Sequence, residues 1–290
     1  MKKVIVKKSR KELWLWRIVI ISISLSYFSN KFNNRHNEIT EDCIVRTQIY
    51  GEISYDDKIL KKINDLKDNS RVKGLLVQMD SPGGTATGSE ALYKALKELK
   101  TKKPLVVSVQ NSATSGGYMA AMAADQIFAY ETSLIGSIGV ITESFEVTEL
   151  AEKIGIKFWS YKSSPLKGTL SMFEKHTEEG NKSIQDLINE MQSIFKNIVH
   201  QSRPKISAQN IELICNGEAY SGRQAVNNGL IDGIGGETEA LKALKDKIKE
   251  DYLPINDYKL YEVDEDDSIF PILKNVLKIL LNSQLSKSVS

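Results

Sequence analysis

The stretch Asn111-Ser112-Ala113-Thr114-Ser115-Gly116-Gly117-Tyr118 decides how the rest of this chain is read. It joins a β-like run, Pro104-Leu105-Val106-Val107-Ser108-Val109, to an Ala- and Met-rich run over 117–124 that reads as a small helix. A serine at a strand-to-helix turn with two glycines behind it has two readings. In one, Ser115 is an N-cap on a glycine-rich turn. In the other it is a nucleophile. The amides of Gly116 and Gly117 then lie at the positive end of a helix, where developing negative charge is stabilised. The missing Cβ atoms leave room for a carbonyl to approach. The turn alone does not choose between the two.

A second glycine turn lies upstream. Gly74-Leu75-Leu76-Val77-Gln78-Met79 has the pattern of a buried strand and runs into Asp80-Ser81-Pro82-Gly83-Gly84-Thr85. Residues 88–99 follow as a helix, with Leu92, Leu96 and Leu99 at helical spacing. Consecutive strand-to-helix loops of a parallel sheet open on the same carboxyl edge, where sites sit. Gly84 and Ser115 are therefore expected to converge, with the N–H groups of Gly84 and Gly116 as the two donors of an oxyanion hole. The alternation continues, with strands expected over 44–50, 126–130 and 157–161. Helices are expected over 57–66, 174–199, 207–215, 221–228 and 236–249. In the longest of these, Ile184, Leu187, Ile188, Met191, Ile194, Phe195 and Ile198 share one face. Such alternation predicts an α/β fold with a mostly parallel sheet and flanking helices. No internal repeat is present, so the chain holds one catalytic-type unit.

A serine nucleophile needs a base. The chain has three histidines. His36 falls in a polar linker, His176 heads the long helix beside acidic residues, and His200 lies near its end. None follows a strand, so a Ser-His-Asp triad has no good member. Lysine is the other base known to serve serine. Lys167 lies in Ser163-Ser164-Pro165-Leu166-Lys167-Gly168, expected as a loop after the 157–161 strand. A lysine titrates near ~10.4, and a base working at neutral pH needs ~7–8, so desolvation or nearby positive charge must supply roughly 4 kcal/mol. Such a lysine has to be buried when it works.

Charge and cysteines exclude several classes. The formal net charge is +2, from 39 basic and 37 acidic residues, which gives no footprint for nucleic acid. The two cysteines, Cys43 and Cys215, are far apart and in no CxxC, so neither a disulfide framework nor a zinc site is expected. A single Cys43–Cys215 bridge stays open for an oxidising compartment. No metal site or cofactor is expected.

The two ends differ from the middle. Lys2, Lys3, Lys7, Lys8, Arg10, Lys11 and Arg17 precede or enter an apolar run over 13–28. That run is short for a bilayer unless Trp14, Trp16, Tyr27 and Phe28 sit at the interfaces. Residues 1–12 read as a basic cytoplasmic flank, 13–28 as a transmembrane signal anchor, and 29–42 as an Asn-rich linker. A cleaved signal peptide, ending at Ser22-Ile23-Ser24 or Ser24-Leu25-Ser26, is the alternative. Either way the domain over 43–250 is exported. Residues 251–290 form a tail whose segment 270–285 is amphipathic. It suits a membrane surface, an oligomer contact or its own domain equally.

Several motifs together resemble the signal peptide peptidase A family of membrane-anchored serine proteases, in its short single-unit form. The matches are Met79-Asp80-Ser81-Pro82-Gly83-Gly84, Thr114-Ser115-Gly116-Gly117-Tyr118, Ala123-Ala124-Asp125-Gln126-Ile127, Gly136-Ser137-Ile138-Gly139-Val140, Gly222-Arg223-Gln224-Ala225 and Gly229-Leu230-Ile231-Asp232. The resemblance implies a fold related to crotonases and the Clp proteolytic subunit. It implies a catalytic Ser-Lys dyad of Ser115 and Lys167, a lysine-orienting Ser137, and oxyanion donors at the Gly84 and Gly116 amides. It further implies peptide substrates, namely remnant signal peptides, at the cytoplasmic (inner) membrane. The catalytic domain would lie on the extracytoplasmic side of a single-pass chain, in a ring-shaped homo-oligomer. The chain departs from the family pattern at Thr114, where alanine is frequent. It departs again after Lys167, where Gly168-Thr169-Leu170-Ser171 replaces a frequent Ser-Pro pair and arginine. A crotonase-like acyl-CoA enzyme and a non-catalytic membrane scaffold are the rival readings.

Overall fold

The structure is a computed structural model and describes residues 21–22 and 39–261. Among the described residues eight strands form one sheet. They are β1 (Cys43–Ile53), β2 (Val72–Gly84), β3 (Leu105–Thr114), β4 (Gln126–Ala129), β5 (Leu134–Gly136), β6 (Ala219–Ser221), β7 (Gly233–Ile234) and β8 (Ile255–Asp257). The order is β6-β5-β3-β2-β1-β8, and β4 branches from β3 and carries β7. Every pairing is parallel except β5 with β6. The α/β expectation is met.

β2 is covered on both faces, which is why Leu75, Leu76, Val77 and Met79 read as one continuous apolar run. The helices Asp57–Asp68 and Ala86–Lys100 bury Ile59, Ile63, Leu66, Leu92, Leu96 and Leu99 on one side. On the other side Ala240 and Leu244 of the helix Glu237–Ile248 meet Ile44, Leu76 and Val106. Arg46 ties this layer together. It grips Asp257 of β8 through two nitrogens, at 2.5 and 2.9 Å, and donates to Glu237 at 2.5 Å.

Two features of the sheet position the site. β3 is forked: Val106–Val109 pairs with β4, whereas Ser112–Thr114 pairs with β5. The register of β2 against β3 also shifts between Met79 and Ser81. The fork and the shift both fall at the carboxyl ends of these strands, next to the two glycine turns. Asn111 to Thr114, expected as part of a turn, is strand.

Two expectations need correction, and one open alternative is closed. Residues 157–161 form no strand: the run is exposed and no strand lies beside it to complete a ladder. The long helix runs Glu178–Ser202, and only Phe195, Ile198 and Val199 of its apolar stripe are buried with Gly180. Leu187 and Ile194 are exposed, and the apolar side chains that are buried lie in the last turns of the helix. The Cys43–Cys215 bridge is not formed, and both are buried free thiols. The expected anchor over 13–28 lies outside the described residues apart from Ile21 and Ser22, and so does the amphipathic 270–285 segment. No helix among the described residues is long and apolar enough to cross a membrane.

Candidate active site

Ser115 occupies the one residue between β3 and the short helix Gly116–Ala121. Its amide donates to Gly136 O of β5 at 2.7 Å, and its carbonyl accepts from Met119 N at 3.0 Å. Meeting the strand on one side and the helix on the other forces φ to 50° and ψ to −123°. A non-glycine residue held there costs about 1–3 kcal/mol, and such strain gathers at functional sites. The side chain does not cap the helix. By contrast, Asp56, Thr85, Thr177, Ser207 and Ser221 each accept from first-turn amides of their own helices. The N-cap reading of Ser115 fails on this comparison, because its hydroxyl is turned away from the job serines perform elsewhere in the chain.

The β2 loop arrives beside it. Asp80 accepts from Asn111 Nδ2 at 2.6 Å, Ser112 N at 3.1 Å and Ser112 Oγ at 3.2 Å. This fastens the two strands where their register shifts. The buried Ser81 hydroxyl donates to Gly51 O at 2.7 Å and accepts from Gly83 N at 3.1 Å. Thr114, the departure from the family pattern, donates from Oγ1 to Pro82 O at 3.1 Å and so clips the loop to the end of β3. Gly83 has φ +115°, and a Cβ there would stand 2.9 Å from both Gly116 N and Ser115 Cβ. A side chain at Gly116 would stand 3.3 Å from Gly84 N. The structure thus brings Gly84, Ser115 and Gly116 together, as the two-loop argument expects.

Ser137 joins this group through the β3–β5 pairing. Thr114 pairs with Gly136, so Ser115 and Ser137 leave adjacent parallel strands side by side. Ser137 also has a positive φ, 47°, and its amide donates to Glu218 O at 2.8 Å.

Lys167 is placed differently. It lies in an exposed turn where Lys167 N donates to Ser164 O at 3.1 Å and Thr169 Oγ1 to Leu166 O at 2.8 Å. Among the described residues no hydrogen bond joins Lys167 to Ser115. The turn belongs to an extension over 140–177 that folds back on itself. Val147 N donates to Met172 O at 2.8 Å, the rings of Phe158 and Phe173 stack at 5.1 Å, and Lys162 pairs with Glu174. The extension leaves much apolar surface in water: Ile141, Phe145, Trp159 and Tyr161 are 81%, 75%, 74% and 94% exposed.

Beneath the site lies a polar cluster that sequence reading missed. Arg203 Nη1 donates to Asp232 Oδ2 at 2.8 Å, and the same oxygen accepts from Ile127 N at 2.8 Å. Tyr118, fully buried on the Ser115 helix, donates to Leu230 O at 2.7 Å. Burial pushes its phenol up to about 12, so it stays protonated and keeps donating. The cluster anchors the short helix to β4 and to the end of the long helix. Its only signals in sequence are Tyr118 and Asp232 inside two of the matched motifs. Among the described residues no group of acidic, histidine or cysteine side chains is placed to hold a metal.

The fold is a Clp-protease-like α/β sheet, and at the carboxyl end of its forked strand stands a strained, uncapped serine with glycine amides beside it. Comparison with known proteins narrows the class. The model of peptidase family S49 matches residues 97–250. A protein of Enterococcus faecium provisionally named signal peptide peptidase SppA is 32% identical over 253 residues, 79% of this chain and 73% of that one. A provisionally named protease of Synechocystis is 32% identical over 203 residues, 69% of this chain and 73% of that one. The chloroplastic serine protease SPPA of Arabidopsis thaliana is 30% identical over 212 residues, 69% of this chain but 29% of that one. The chain belongs to peptidase family S49 and is a serine peptidase. Family membership assigns peptide-bond hydrolysis rather than acyl-CoA chemistry.

Proposed function

We propose that this chain is a membrane-anchored endopeptidase that degrades remnant signal peptides with a Ser115–Lys167 dyad. Neutral Lys167 takes the proton of Ser115, whose Oγ attacks the carbonyl of an extended peptide. The Gly84 and Gly116 amides hold the oxyanion. Protonated Lys167 then gives its proton to the leaving amine, and water releases the acyl group from Ser115. Ser137, beside Ser115, orients the lysine.

The observation that carries this reading is the backbone of Ser115. It is held at positive φ, with its side chain off the helix, between two glycine-bearing loops. The exposed extension supports assembly. An apolar surface of that size in water marks an interaction site. A second protomer laid on it would also desolvate Lys167, and burial favours the neutral form a base requires. We read the assembly as a closed homo-oligomeric ring with each dyad completed across a protomer boundary. The basic flank and apolar run at the N-terminus support single-pass anchoring in the cytoplasmic membrane with the domain outside.

The test is complementation. Ser115→Ala and Lys167→Ala are each expected to be inactive on a signal-peptide substrate in detergent micelles. Co-assembled in equal amounts, they should regain about one quarter of wild-type activity, the share of neighbour pairs in a head-to-tail ring that join an intact serine to an intact lysine. Full activity of either single variant sinks the dyad. Zero recovery in a proven mixed ring places both groups in one protomer.

A further inference from the structure

Ser89 lies one turn into the helix Ala86–Lys100, and its amide donates to Thr85 O at 3.0 Å. Its side chain is fully buried, and Oγ has no hydrogen-bond partner among the described residues. A buried hydroxyl without a partner is costly, and alanine is the better helix former. Nothing within its own helix accounts for a serine here.

What Oγ does face is the nucleophile turn. A Cβ on Gly116 would collide with Ser89 Oγ, and would stand 2.8 Å from Ser89 Cβ and 3.3 Å from Gly84 N. The Gly116 Cα–H bond therefore points at Ser89 Oγ, a contact of the weak Cα–H···O kind. The hydroxyl packs against the Gly116 Cα, on the same side from which Gly84 N approaches Gly116.

We propose that Ser89 is a positioning residue for peptide-bond hydrolysis, the spacer that sets the separation and tilt of the Gly84 and Gly116 amides. This rests on reading those amides as the oxyanion donors of a Ser115 nucleophile. Ser89 touches neither substrate nor the reacting atoms. Donors stabilise an oxyanion only when aimed at the place where its charge develops, and they are only as well aimed as the residues behind them hold them. Loss of the spacer lets the amides relax toward each other. Substrate binding along the cleft is left alone, while transition-state binding weakens.

The experiment compares full-length wild type with Ser89→Ala in three measurements. These are steady-state hydrolysis of a fluorogenic peptide, inhibition by a peptide aldehyde and by the unreactive peptide of the same sequence, and thermal unfolding. The expected result is a fall in kcat of about tenfold, short of the ~10²–10³ lost when a donor itself is removed. KM stays within about twofold, because ground-state contacts are unchanged. The aldehyde, whose adduct places an oxygen in the oxyanion hole, loses affinity in step with kcat, and the unreactive peptide does not. Unchanged kcat overturns the proposal. So does a lower Tm accompanied by equal losses for both inhibitors, the mark of a merely structural role. Should Ser89→Ala not fold, Ser89→Cys, which lengthens the side chain against Gly116, carries the same three readouts. Undiminished turnover by Ser115→Ala would instead remove the nucleophile on which the proposal rests.

Discussion

Ser115 and Lys167 stand in two regions that the chain builds in opposite ways. Around Ser115 the backbone is fastened at every turn: to β5 through Gly136 O, to β2 through Asp80 and Thr114, and to the core through Tyr118. Around Lys167 the hydrogen bonds stay within the extension, and its largest apolar side chains face water. One region is finished by intramolecular packing; the other is a surface that still has apolar area to bury. The difference teaches where control over this peptidase would reside. The Ser115 turn keeps its strained geometry in the monomer, and under the proposed dyad activity depends on what brings Lys167 to it.

The largest effects should come from the dyad. Ser115→Ala and Lys167→Ala are each expected to lower kcat/KM by about 10⁴ or more, with the particle mass by light scattering equal to that of the wild type. A Lys167→Ala enzyme retaining a tenth of wild-type activity would break the contrast, since the extension would then carry no chemistry.

Next is the frame beneath Ser115. Arg203→Met leaves Asp232 without its cation. The expected loss is about 3 kcal/mol in urea unfolding, at the low end for buried pairs because Asp232 keeps some contact with water. Activity should fall with it, because the pair holds the Ser115 helix to β4. A change below about 0.5 kcal/mol, the range of ordinary surface substitutions, would show that the frame is held by apolar packing alone.

The extension should respond to polarity rather than to volume. Trp159→Asp is expected to leave the melting of the domain nearly unchanged. It should weaken assembly by about 2 kcal/mol or more per contact, as a buried interface tryptophan does, and sedimentation should report smaller species. An unaltered mass would move the interface elsewhere.

The smallest effect tests the buried edge of the sheet far from the site. Lys103 is held among backbone carbonyls, donating to Leu66 O at 2.7 Å and also to Asn69 O, and burial lowers it from 10.5 to about 8. Between about pH 8 and 10.5 the unfolded chain still holds the proton that the folded chain has released, so this group makes stability rise with pH. The buried thiols Cys43 and Cys215 and the phenols of Tyr118 and Tyr261, all pushed upward, act in the opposite direction. The readout is therefore the wild type minus Lys103→Met difference across that window. A flat difference would show that the two carbonyls keep the ammonium charged.

Legibility followed the length of each signal. Strands β1 to β3 and the helices packed on them announced themselves through continuous or periodic apolar runs. β5, only Leu134-Ile135-Gly136, is too short to display a period, yet it supplies the carbonyl that holds Ser115. Phe158-Trp159-Ser160-Tyr161 has the aromatic content of a strand but no neighbour to pair with, and propensity without a partner does not make one. Ser89 and Arg203 gave no sign because their importance lies in what stands opposite them. Gly84 and Gly116 were legible because only glycine tolerates so close an approach of two backbones.

By itself the sequence determined the α/β class, the two glycine turns, the absence of a usable histidine and the candidates Ser115 and Lys167. Local composition and spacing suffice for each, since they depend on neighbours along the chain. Only the tertiary structure decided that Ser115 is strained and uncapped, that Ser137 stands beside it, and that Lys167 rides on an exposed extension. Those facts arise from the fork in β3 and from packing between segments distant in sequence, which no local pattern encodes.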